Sequence, residues 1–101
     1  MPIERDLRAW DAVIDCPEGP VAIEAETRLT DLQALERKIA LKRRDSGIEV
    51  VILFVNDTAS NRRVLRAQRE ALRPSFPLDG REVLAALRAG RRPAASGLVL
   101  L

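Results

Sequence analysis

Glu49-Val-Val-Ile-Leu-Phe-Val55 is a nearly continuous apolar run. A run of this kind marks a central strand covered on both faces. Its neighbours have the pattern of covering helices. Residues 30–45 read as a helix opened by Thr30 or Asp31, with Leu29, Leu32, Leu35 and Ile39 as its apolar stripe and Gly47 in the C-cap position. After the strand, Asn56-Asp57-Thr58 supplies an N-cap for a helix that runs to about Arg73 and stops at Pro74. Asp79 caps a shorter helix over 80–89, closed by Gly90, and Leu98-Val99-Leu100-Leu101 reads as a last buried strand.

Two further strands precede these elements. Residues 10–16 and 21–27 flank Pro17-Glu18-Gly19-Pro20, which is turn chemistry, so they are expected to form a hairpin. The order hairpin, helix, strand, helix, helix, strand gives an α/β class. It is a single mixed β-sheet with an N-terminal antiparallel hairpin and flanking helices. A right-handed crossover through helix 30–45 places the hairpin beside strand 49–55.

The chain has 101 residues, enough for one domain over 1–101. Apolar residues make up 47% and charged residues 32%, a globular rather than a disordered balance. No apolar run approaches ~20 residues, so no membrane span is expected. Met1–Leu7 lacks the apolar stretch of a secretory signal, and the expected location is cytoplasmic. Cys16 is alone, which excludes an internal disulfide. The absence of histidine excludes the usual zinc sites and Ser-His-Asp or Cys-His catalysis.

Charge is unevenly spread. Residues 1–36 carry three basic and nine acidic side chains, whereas residues 37–101 carry fourteen basic and six acidic. This polarity suggests a cation-binding corner beside an anion-binding surface. Arg62, Arg66, Arg69 and Arg73 recur at helical spacing and form one stripe, opposite a buried face of Val64, Leu65, Ala67, Ala71 and Leu72. Four arginines in line suit a phosphate backbone, although a solvated helix face in an Arg-rich chain explains them as well. Aromatic residues are limited to Trp10, Phe54 and Phe76, too few for a base-stacking platform.

Placing Cys16 opposite Val21 puts Trp10, Ala12, Ile14 and Cys16 on one apolar face with Val21, Ile23 and Ala25. The other face then holds Asp11, Val13 and Asp15 against Ala22, Glu24 and Glu26. In this register Asp11 lies opposite Glu26, with Cβ atoms ~4.5–5.5 Å apart, and Glu24 is its near neighbour. Facing carboxylates need a basic side chain, a bound cation, a raised pKa or exposure to water. Without histidine, the cation that suits Asp11, Glu24 and Glu26 is Mg²⁺ or Mn²⁺. The plain alternative is the wet face of a hairpin. Cys16 and Trp10 read as core residues, and Leu41 and Phe76 as candidates for a homodimer contact.

Strand-Asp11, turn, strand Glu24-Ala25-Glu26, then a helix and a buried strand resembles the restriction-endonuclease-like, PD-(D/E)-x-K, nuclease superfamily. The resemblance implies that Asp11 and Glu24 ligate a metal and that Glu26 stands in the lysine position, completing the coordination or acting as base. The missing cation then comes from Lys42 or Lys38 on the following helix. It implies metal-assisted phosphodiester hydrolysis, with Asp11, Glu24, Glu26 and Lys42 as the catalytic set. The family's proline is absent, since Trp10 precedes Asp11.

Asp6-Leu-Arg-Ala-Trp-Asp-Ala-Val13, Glu24-Ala-Glu-Thr-Arg-Leu29, Ala40-Leu-Lys-Arg-Arg-Asp45 and Pro77-Leu-Asp-Gly-Arg-Glu82 carry a second resemblance. They are similar to the segment that follows the helix-turn-helix domain in a group of actinobacterial-type transcriptional regulators. Together the two imply a nucleic-acid-associated domain, with DNA as the expected partner directly or through a helix-turn-helix domain. The alternatives are an active Mg²⁺-dependent endonuclease, and a ligand-binding or oligomerisation domain that never touches nucleic acid.

Overall fold

The structure, a computed structural model, describes residues 10–101. The reading of Met1–Leu7 and the first part of the Asp6–Val13 motif lie outside the described residues. In chain order the elements are β1 (Ala12–Cys16), β2 (Gly19–Glu26), α1 (Leu32–Ser46), β3 (Val50–Val55), α2 (Ala59–Leu72), α3 (Gly80–Arg88) and β4 (Gly97–Leu100). They form an α/β fold with one mixed sheet in the order β1-β2-β3-β4. The hairpin β1–β2 is antiparallel, and β2, β3 and β4 run parallel.

β3 occupies an interior position, and all its side chains but Phe54 are buried. Val51, Leu53 and Val55 face one layer with Ile39 of α1 and Leu65 and Leu72 of α2. Val50 and Ile52 face the other, with Val83 of α3 and Val99 of β4. No helix among the described residues is long and apolar enough to cross a membrane.

The helix ends follow the capping chemistry. The Asp31, Thr58 and Asp79 side chains each accept a backbone N–H three residues on, and Gly47 closes α1 at φ 75°. Asn61 is a polar residue inside the core, 1% exposed. Its Oδ1 accepts Leu29 N–H (2.9 Å), and its Nδ2 donates to Thr27 O and Asn56 O (2.9 Å each). It thereby fastens the start of α2 to the exits of β2 and β3.

Several expectations are corrected. Cys16 pairs with Gly19, not Val21, because Pro17 and Glu18 alone make the turn and Gly19-Pro20 joins the strand. The shift is two residues, so the division of side chains between the two faces stands. Trp10 lies in a bend before β1, outside the strand alternation, and packs in the α1 and α2 layer rather than on the Cys16 face. Phe76 is 1% exposed and belongs to the core, because its N–H closes the end of α2 on Leu72 O (2.8 Å) and turns the ring inward. Ala67 and Ala71 are exposed, and the buried side of α2 is Asn61, Leu65 and Leu72. Leu41 is 50% exposed.

Candidate functional site

Residues at i and i+4 share one face of a helix. α1 thereby holds Lys38 and Lys42 together above the end of β2. Lys42 Nζ is 2.7 Å from Glu24 Oε2, and Lys38 Nζ is 3.4 Å from the same oxygen and 3.3 Å from Glu26 Oε1. Two carboxylates and two ammonium groups thus form one continuous network.

The network is graded in depth. Glu24 is 2% exposed, whereas the Lys38 side chain is 50% exposed. A carboxylate so deep needs a cation beside it, because removal from water penalises its charged form by several kcal/mol. Lys42 is that cation, and Trp10 covers it, the ring centre lying 5.5 Å from Nζ. Among the described residues, Glu24 Oε1 and Trp10 Nε1 are both buried without a hydrogen-bond partner. Burial opposes the charge of Lys38, but the carboxylates of Glu26 and Glu24 outweigh it and hold the ammonium above the ordinary lysine range.

Asp11 is used differently. Its N–H donates to Ile23 O (3.1 Å) and its Oδ2 accepts Ala25 N–H (2.7 Å). The carboxylate therefore continues the hairpin ladder past its last backbone pair. Extending the observed register by one pair sets Asp11 across from Glu24 instead of Glu26. Among the described residues no three Asp, Glu, Cys or His side chains gather as a metal site. As arranged, the three carboxylates do not suit a divalent cation, because Lys42 stands where the ion would approach Glu24 Oε2 and Asp11 is bonded to the backbone.

The arginine stripe is partly consumed inside the fold. Arg62 pairs with Asp57, Arg69 Nη2 donates to Leu78 O (3.0 Å), and Arg73 Nε donates to Glu70 Oε1 (2.8 Å). Arg66 is exposed and without such a partner among the described residues, as is Arg63 beside it. Arg62, Arg66 and Arg69 line a groove with Arg81 at the start of α3. Arg81 was outside the expected set; only the tertiary fold brings it to the stripe. Asn61 does carry a sequence signal, since it lies on the helical stripe of Leu65 and Leu72. No family model matches the chain, and no curated protein and no solved structure matches it.

Proposed function

We propose that this chain is a nucleic-acid-associated domain of restriction-endonuclease-like build, whose carboxylate site is neutralised by its own lysines. It works beside the helix-turn-helix domain of a transcriptional regulator or as a stand-alone relative, without hydrolysing the backbone. The carrying observation is Lys42 Nζ at 2.7 Å from the buried Glu24, with Lys38 bridging Glu24 and Glu26. That is an acidic-x-acidic strand met by helix-borne lysines, with the charges balanced two against two. A balanced site has little left to draw in a hydrated cation. The excess of basic residues over 37–101, with Arg63 and Arg66 exposed on α2, supports contact with phosphates.

The test is fluorescence anisotropy of a labelled DNA duplex over a range of salt. Affinity should fall as salt rises, with a log–log slope of about −2 if Arg63 and Arg66 each meet a phosphate. Arg63→Glu with Arg66→Glu should abolish it. An affinity independent of salt, or no binding at low salt, overturns the reading. Stabilisation by Mn²⁺ that Asp11→Ala and Glu24→Ala both remove, together with Mn²⁺-dependent cleavage of the duplex, would instead restore metal-dependent hydrolysis.

A further inference from the structure

Among the described residues, the outer edge of β4 is open beyond a bridge to Leu78. Leu101 N–H donates to Val55 O (2.9 Å), so in this parallel ladder Leu98 and Leu100 turn their backbone groups away from β3. Leu98 N–H is taken by Leu78 O (3.2 Å). Beyond that bridge no described backbone group meets the Leu100 N–H. Gly-Leu-Val-Leu carries none of the charges or prolines that usually guard an edge strand.

This edge lies along a groove of about 610 Å³ between α2 and α3. Leu84, Val99 and Leu100 make its apolar side, and Arg62, Arg66, Arg69 and Arg81 its rim. Arg62 is neutralised by Asp57, and Asp79 is the one acidic residue among the described residues of the lining, so the described rim keeps an excess of positive charge. Arg69 Nη1 is buried with no acceptor among the described residues. Its burial, and then the charge of Arg73, lower its pKa, against the opposing pull of the Asp79 and Glu70 carboxylates.

We propose that the β4 edge receives an extended acidic segment of a partner protein, added as a fifth strand. Main-chain groups of the segment pair with Leu100. Side chains alternate between the two faces of a strand. Alternate carboxylates therefore meet Arg66 and Arg69 on the α2 side, while the apolar residues between them meet Leu84 on the α3 side. The charge selects an anionic occupant, and the outward-facing backbone of Leu100 selects an extended peptide. A second copy pairing through the same edge would bring both sets of arginines together. Pairing of β4 with β1 of another copy would be head-to-tail, and β1 would bring the groove arginines a single carboxylate, Asp15, rather than an alternating series. Single-stranded nucleic acid would find phosphate partners but no aromatic ring to stack on in the described lining, and a duplex touching Arg63 and Arg66 offers no main-chain groups to Leu100.

The experiment uses the full chain and a fluorescent peptide of alternating Glu and Val. Saturable binding is expected, weakened about tenfold or more by Arg66→Glu. Proline is tolerated on an edge strand when its N–H would face outward. Leu100→Pro should therefore keep the melting temperature and lose the peptide. A peptide N-methylated at the bonding positions, and one of alternating Lys and Val, should fail to bind the unaltered chain. Equal binding of the N-methylated peptide, or of oligoglutamate lacking valine, overturns the proposal. So does self-association of the chain that the peptide leaves unchanged.

Discussion

The Lys42 ammonium stands 5.5 Å from the centre of the Trp10 ring. Trp10 is the sole tryptophan and is 5% exposed. Its emission should therefore be blue-shifted in the folded chain and should report on Lys42. Trp10→Ala is expected to cost about 3–5 kcal/mol, read from urea unfolding. Lys42→Met should move the emission while the ring stays buried; an unchanged spectrum would show that ring and cation do not interact.

Removing one partner of a buried ion pair leaves the other uncompensated. Lys42→Met should destabilise by about 3–5 kcal/mol, because Lys38 is too exposed to replace it. The double variant Glu24→Leu with Lys42→Met should recover most of that loss. A double-mutant cycle measures this, and strict additivity would show that the two groups are not coupled.

Lys38 gives an alkaline limb to stability. Its folded pKa is raised above the ordinary 10.5, so its contribution is complete below that pH and is lost as pH rises through the raised value. Glu18 acts at the other end. The Arg92 N–H bonded to its carboxylate, chiefly, holds its pKa below the ordinary 4.5. That contribution is present above 4.5 and fades as pH falls through the lowered value. Lys38→Met should flatten only the alkaline limb of a melting-temperature profile, and Glu18→Gln only the acid limb.

Asp11 separates a structural from a metal-binding carboxylate. Asn keeps an oxygen that can accept the Ala25 N–H, whereas Ala does not. Asp11→Asn should be close to neutral and Asp11→Ala should cost about 1 kcal/mol, measured by denaturant midpoint. Equal losses in both would mean that the negative charge itself matters.

Gly97 tests the packing of β4 against α3. A Cβ there would meet Val83, and would come within 3.0 Å of both Leu78 Cβ and Leu78 O. Gly97→Ala should destabilise by about 1–3 kcal/mol. Val83→Ala in the same chain should relieve part of it.

The strand and helix order is legible because each element has its own periodicity and its own cap. The faces of the hairpin are legible too, but not its register. Pairing Cys16 with Val21 or with Gly19 leaves every side chain on the same face, so apolar alternation cannot choose between them. The choice is made by Pro17 and Glu18, which suffice as a turn. The spacing of Lys38 and Lys42 shows that they share a helix face. The depth of Glu24 does not show, because its burial depends on where α1 lies over β2. The arginine spacing is equally readable, yet Arg62 and Arg69 are engaged by Asp57 and by the Leu78 carbonyl, and Arg69's partner exists only once the chain between them has folded back. Phe76 belongs to no repeating pattern, and its burial follows from the last turn of α2.

Ser96 carries a kinetic consequence. Its Oγ accepts the Val51 N–H (2.9 Å) and donates to Glu49 O (3.4 Å), joining positions 45 and 47 residues apart. The loop it closes contains both α2 and α3, so this clasp can form only after that whole crossover has docked. β4 should be the last strand to protect its amides during refolding and the first to release them, which pulsed hydrogen exchange would resolve as a separate, slower phase at Val51.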